Sequence, residues 1–206
     1  MIIGLIGLAG SGKDTAADFL VDKGFVKMAW ADPIKRFAME IFDFSEEQLW
    51  GPSEKRSEPD KRYPLSNGEF LTPREVLQKI GTEGGRAAYD SIWTNYTLRK
   101  AKEILTDPNI SYDKLDGTYG SHHTVIVPGV VISDCRFMNE CKAIQDAGGT
   151  IIKIVREKAG LTGARALHSS ETEQRLIRQG DVDHVIYNNG SLEELNKKII
   201  DIVSPS

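Results

Sequence analysis

The stretch Ile2-Ile3-Gly4-Leu5-Ile6-Gly7-Leu8-Ala9-Gly10-Ser11-Gly12-Lys13-Asp14-Thr15 decides how this chain is read. Its apolar residues Ile2, Ile3, Leu5 and Ile6 predict a buried strand. A glycine-rich loop and a lysine follow at once, then an amphipathic helix through Ala16, Ala17, Phe19, Leu20 and Val21. Strand, loop, lysine and helix in that order form the context a phosphate-binding P-loop requires. Glycines let the backbone curl until several N–H groups point into one concavity. The helix N-terminus adds unpaired donors and partial positive charge, and Lys13 adds a full charge aimed at the outer phosphates. Gly10, Ser11, Gly12, Lys13, Asp14 and Thr15 are therefore the first candidate binding residues. The usual pattern has Ser or Thr directly after the lysine, where its hydroxyl holds magnesium. Here Asp14 takes that place and Thr15 comes next.

Downstream, residues 25–29 predict a second strand. Asp32 suits a helix N-cap and Pro33 the first helical position, with the helix running to Phe42. Lys35 and Arg36 then lie in the first turn, where cations oppose the helix dipole, so the pair predicts an anionic partner. Capping boxes opening on Ser45 and Thr72 predict two more helices. Between them, residues 51–71 are rich in Pro, Gly and charge and read as a binding loop or a disordered one. Residues 81–86 break the helix that starts after Thr72. A longer one follows toward Leu105, and its Trp93 and Tyr96 read as core. Residues 106–124 form a polar loop whose adjacent His122 and His123 lack ligand spacing.

Val130-Val131-Ile132-Ser133-Asp134 predicts a strand ending in an aspartate, the place of the magnesium-holding acid in P-loop proteins. Arg136 emerges beside it at the strand's C-terminal end, where open α/β sheets keep their ligands. A helix to Gly148 and a strand ending in Arg156 come next. From there Arg156, Arg165, Arg175 and Arg178, with Gly160, Gly163 and His168, predict a lid that closes over phosphates. A capping box opening on Ser170 makes part of it helical. A strand at 185–187, a turn at Asn188-Asn189-Gly190 and a helix capped by Ser191 close the chain. The alternation predicts an α/β fold: about five parallel strands with helices on both faces, a helical substrate-binding region and a lid. One domain is expected, with a core of residues 1–30, 125–156 and 181–206, a substrate-binding region at 31–105 and a lid near 157–178.

A chain of 206 residues suffices for one such domain. Net charge is −4, which argues against broad attachment to a nucleic acid polymer, so an anionic ligand needs a local cluster of Lys and Arg. No apolar run approaches the roughly 18 residues of a membrane span. The apolar start leads into a glycine loop and not a cleavage site, which predicts no signal peptide and a cytoplasmic location. Cys135 and Cys141 lack metal spacing and read as small buried side chains.

Four of these motifs carry a family resemblance. Residues 10–15, Ala31-Asp32-Pro33-Ile34-Lys35, Asp134-Cys135-Arg136-Phe137-Met138-Asn139-Glu140 and Asn188-Asn189-Gly190 resemble the bacteriophage deoxynucleoside monophosphate kinases. The likeness covers most of the chain in the same order; residues 51–71 and 106–124 carry little of it. It implies the P-loop nucleoside monophosphate kinase fold, a monomer or homodimer, and transfer of the ATP γ-phosphate to a deoxynucleoside 5′-monophosphate. The nucleophile is then the acceptor's own phosphate, which with a second pKa of roughly 6 is mostly dianionic at neutral pH and needs no general base. Catalysis rests on placing two phosphates in line and offsetting their repulsion.

The resemblance implies roles residue by residue. Lys13 and the P-loop backbone meet the β- and γ-phosphates, Thr15 the α-phosphate, and Asn188 completes the ATP site. Asp14 and Asp134 hold Mg2+; because a carboxylate charge directly beside the phosphates would repel them, the Asp14 substitution suggests that it works through a bound water. Lys35, Arg36, Arg74, Arg86 and Arg136 meet the acceptor phosphate. Asp32, Asp134 and Glu140 belong to the same substrate site, and Gln78 and Thr82 face the base or sugar. Arg156 and Arg165 join Lys13 and Arg136 as catalytic charges on the transferring group. Animal-type phosphomevalonate kinases share the Lys-Asp pair and an Ala-Asp-Pro-Leu-Lys stretch, and dephospho-coenzyme A kinases share the ATP half. A non-enzymatic nucleotide switch is the third reading; no Asn/Thr-Lys-x-Asp guanine signature supports it.

Overall fold

Ile2–Ile6 (β1) forms the centre of a five-stranded sheet in the computed structural model, which describes residues 1–107, 127–157, 159–160, 174 and 176–204. Its companions are Val26–Met28 (β2), Val130–Cys135 (β3), Thr150–Val155 (β4) and His184–Tyr187 (β5). The spatial order is β2-β3-β1-β4-β5, and every pairing is parallel. A central parallel strand is covered on both faces, which is why β1 reads as a nearly continuous apolar run. Ile2 and Ile6 turn to one face and pack with Ile132, Cys141 and Ile144. Ile3 and Leu5 turn to the other and pack with Ala16, Leu20, Leu195 and Ile199. Gly4 lets the first face close: a Cβ there would stand 2.6 Å from Ile151 Cδ1 and 2.7 Å from Ile144 Cδ1.

Seven α-helices occur among the described residues: Lys13–Asp22 (α1), Asp32–Phe42 (α2), Glu46–Trp50 (α3), Pro73–Gln78 (α4), Ile92–Thr106 (α5), Met138–Asp146 (α6) and Leu192–Val203 (α7). α1 and α7 cover one face of the sheet, α5 and α6 the other. Both cysteines are free and buried. No helix among the described residues is long and apolar enough to cross a membrane.

A separate apolar cluster of Ala38, Phe44, Leu49 and Val76 organises residues 31–78. The stretch 51–71, expected as an open or disordered loop, is pinned onto it. The ring of Tyr63 meets those of Phe42 and Phe44 at centroid distances of 5.6 and 5.8 Å, and its hydroxyl donates to the Phe42 carbonyl at 2.6 Å. Arg62 donates to Asp43 and Asp60, each at 2.8 Å. Such contacts join residues far apart in sequence and leave no local periodicity to read.

Two further expectations are corrected. Residues 81–86 do not break the helix: Lys79–Arg86 continues α4 as a π-helical segment. A run of wide turns is rare and recurs at functional sites. Trp93 and Tyr96 are not core either. Both are half-buried and use their polar atoms, Trp93 Nε1 donating to the Gly81 carbonyl at 2.9 Å and the Tyr96 hydroxyl accepting from Arg36 at 3.0 Å.

Candidate active site

Because the sheet is parallel, the segments following β1, β3, β4 and β5 all leave it along one edge. β1 lies between β3 and β4, so its loop is flanked on both sides. Gly10 and Gly12 have φ of +77° and +100°, values that L side chains rarely adopt, and Gly12 is the N-cap of α1. A Cβ on Gly10 would meet nothing within 4 Å, which leaves the crest of the loop open. A Cβ on Gly12 would stand 2.3 Å from Asn188 Nδ2, which itself donates to the Ser11 carbonyl at 2.8 Å. Asn188, expected in the ATP site, thus braces the loop from β5. Gly160 braces it from beyond β4, donating its N–H to the Ala9 carbonyl at 2.8 Å. Gly12→Ala is expected to raise the ATP KM about 10-fold by dislodging the Asn188 contact. ATP titration at saturating acceptor checks this, and an unchanged KM would contradict the brace.

Lys13 projects from the first turn of α1 with its side chain 16 % exposed, 3.5 Å from Asp14 Oδ2. The Asp14 carboxylate is 71 % exposed, and Thr15 is exposed beside it. Across the edge, Asp134 and Asp32 are both tied to residues 29–30. Asp134 accepts from the Trp30 N–H at 3.0 Å. Asp32 accepts from the Ala29 N–H at 2.8 Å and from Trp50 Nε1 at 3.1 Å. This corrects the reading of Asp32. It is the first residue of α2, not its cap; it is buried, and it holds the entry to α2 against α3. Burial pushes the Asp134 carboxyl up; Arg136 and Lys35 pull it down, and Asp32 adds to the rise. Those four charged groups are therefore electrostatic neighbours.

The expected cations gather on this side. Lys35 lies over the Trp50 ring, its Nζ 5.3 Å from the centroid. Arg36 is held by Tyr96. Arg74 donates to Ser57 Oγ at 2.9 Å and to the carbonyl and hydroxyl of Ser53 at 3.1 and 2.9 Å. Arg86 pairs with Glu140 at 3.3 Å and lies 5.1 Å from the Phe137 ring centre. Sequence reasoning missed Arg56. It anchors on the Leu49 and Gly51 carbonyls, each at 3.1 Å, and burial lowers its pKa, helped by the charges of Arg74 and Arg136. Arg56 thus lies in the field of two further guanidinium groups, and one of them, Arg136, also acts on Asp134. Gln78 and Thr82 are exposed.

Glu140 departs from its expected contact with substrate. It is buried in the first turn of α6 and accepts from the N–H groups of Arg136 and Phe137 at 2.8 and 3.2 Å. Burial pushes its carboxyl up from 4.5 to about 7. Between those values the folded protein binds more protons than the unfolded chain, so this group makes stability fall as pH rises through that window and adds no slope above it. Denaturant titrations at pH 5 and pH 8 should show the fall in the wild type; Glu140→Gln, which cannot ionise, should lose that component.

On the other flank, a cavity of about 250 Å³ borders the P-loop, lined by Gly7, Ser11, Lys153, Arg156 and Gln174 among others. Lys153 donates to the Ile177 carbonyl, and burial lowers its pKa. Arg156 is exposed directly after β4. Arg165, Arg175, His168, the Ser170 capping box and the His122-His123 pair lie outside the described residues, as does most of the expected lid.

The sequence of this chain is similar to that of known proteins. The sequence profile of the family described as deoxynucleotide monophosphate kinase matches residues 113–199. A protein of Acanthamoeba polyphaga mimivirus, provisionally described as a deoxynucleotide monophosphate kinase, is 37 % identical over 204 residues, covering 98 % of this chain and 96 % of its own length. Among solved structures, shikimate kinase from Aquifex aeolicus superposes with a TM-score of 0.47 at 15 % identity, covering 98 % of this chain and 96 % of that one. Dephospho-CoA kinase from Campylobacter jejuni does so with 0.48 at 14 %, covering 98 % and 94 %. Structural likeness at that level adds nothing to the sequence match.

Proposed function

The chain belongs to the deoxynucleotide monophosphate kinase family, and from that premise we propose that it transfers the γ-phosphate of ATP to a deoxynucleoside 5′-monophosphate, giving the diphosphate and ADP for DNA precursor supply. The observation that supports the reading is a P-loop leaving β1 next to Arg136 leaving the paired strand β3, with the charges of Arg136 and Arg74 both acting on Arg56. One phosphate cradle and one guanidinium cluster on the same edge suit two phosphates that must meet. An oxygen of the acceptor phosphate attacks the γ-phosphorus. The bond from that phosphorus to the β–γ bridging oxygen breaks, and its electron pair stays on ADP. No proton moves at a protein atom, since the acceptor with a second pKa of about 6 is already mostly dianionic.

The residues present fit ATP: the loop crest at Gly10 is open and Lys13 stands beside it. They also fit magnesium, which takes oxygen ligands, keeps several waters and leans on substrate phosphates. Asp14 and Asp134 would hold it, and the ion supplies charge neutralisation between the phosphates when bound. Among the described residues no group of three or more His, Cys, Asp or Glu could hold a metal on its own. In this reading residues 31–105 form the substrate side, and Arg156, with Arg165, serves the transferring group from a lid near 157–178.

An ADP-release assay with ATP and magnesium tests this, offering each deoxynucleoside monophosphate, its ribose counterpart, mevalonate 5-phosphate and dephospho-coenzyme A separately. Turnover on one or more deoxynucleotides is expected. Turnover on another acceptor alone would move the activity to that kinase class, and none with any acceptor would overturn the proposal.

A further inference from the structure

Glu140 is 2 % exposed, and a buried carboxylate is costly unless its oxygens are used. Oε2 takes the two backbone N–H groups that open α6, those of Arg136 and Phe137, and Oε1 takes Arg86 Nη2 at 3.3 Å. Oε2 alone serves those donors, as the N3 glutamate of a capping box does, and Oε1 reaches on to Arg86. That arginine closes the π-helical segment Lys79–Arg86 on the substrate side, whereas Arg136 and Phe137 leave β3 of the sheet. The Arg86 guanidinium also rests near the Phe137 ring, so two independent contacts hold it. Among the described residues, Asp134, Cys135 and Cys141 also act on Glu140, and none of the three is a cation.

Resting on the activity proposed above, we infer that Glu140 is a positioning residue for the acceptor: one carboxylate sets both the backbone that carries Arg136 and the guanidinium of Arg86, so that a single phosphate meets both arginines in one geometry. The contact with Glu140 engages Nη2, and a guanidinium has further N–H donors for a phosphate. Glu140 touches no substrate itself. It couples the helical substrate side to the sheet edge that holds the P-loop.

Acceptor and ATP are titrated separately for the wild type, Glu140→Gln, Arg86→Ala and the double variant, on a deoxynucleotide the wild type turns over. Glu140→Gln is expected to raise the acceptor KM about 10-fold and to leave the ATP KM within about twofold, because only the charge contact to Arg86 is weakened. Its melting temperature at pH 5, where the Glu140 carboxyl is protonated and both side chains are neutral, should stay close to that of the wild type, since the amide oxygen still accepts both backbone N–H groups. The double variant should be no worse than Arg86→Ala alone, as both act through one guanidinium. Losses that multiply, or KM values for ATP and acceptor that rise together, would overturn the inference. Should Glu140→Gln fail to fold, Arg86→Ala probes the link from its half-exposed end, and an unchanged acceptor KM there would overturn it equally. A wild type that turns over no deoxynucleotide sinks the proposed activity itself, a result distinct from an active wild type with an indifferent Glu140→Gln.

Discussion

Lys13→Ala is expected to lower kcat about 10³-fold, since removing one preorganised charge from developing phosphate charge costs that order of magnitude. The fold should barely register the change. Among the described residues Lys13 makes one long polar contact, 3.5 Å to an Asp14 carboxylate that is largely in water, and pairs of that kind contribute little stability. The loop does not rely on the lysine for its shape. That shape comes from Gly10 and Gly12 in left-handed conformations, from Asn188 on the Ser11 carbonyl and from Gly160 on the Ala9 carbonyl. ATP should therefore still bind through backbone N–H groups, and the loss should fall on kcat more than on the ATP KM. Single-turnover kinetics at saturating ATP with a thermal melt would separate the two. Near-normal turnover in Lys13→Ala would remove the P-loop from the chemistry.

The ATP half of this molecule is legible because its determinants are local. A buried strand, glycines at required spacing and the lysine all fall within fifteen residues, and backbone sterics translate them directly into a loop. Strand–helix alternation likewise announces a parallel sheet, because a parallel connection needs a crossover and a helix supplies it. The acceptor half is less legible because its side chains take their roles from distant partners. Asp32 reads as a cap beside Pro33, yet Trp50 claims one of its oxygens and Ala29 the other. Arg56 sits in a stretch without periodicity, and only the fold brings it into the field of Arg74 and Arg136. The glycines at 81, 84 and 85 signal a helix break by propensity, but the Trp93 ring lies against Gly85 and its indole N–H caps the Gly81 carbonyl, so the backbone continues as a π-helix. In each case packing outweighs a local preference of about 1 kcal/mol.

Arg136→Ala carries the second large effect, and it falls on the other substrate. The side chain is exposed at the end of β3, while the backbone N–H that ties this turn to Glu140 is retained in the variant. The local fold should therefore persist. Losing a charge-assisted contact to phosphate costs about 1.5–3 kcal/mol, so the acceptor KM should rise roughly 10- to 100-fold while the ATP KM moves by about twofold. Arg136→Lys should recover part of the loss, because a lysine restores charge without the planar fork that grips two oxygens. A further consequence reaches Asp134. Arg136 opposes the upward push of burial on that carboxyl, so its removal raises the Asp134 pKa further. Equal losses for ATP and acceptor would place Arg136 outside the acceptor site. A selective loss of acceptor binding would tie the acceptor phosphate to the end of β3.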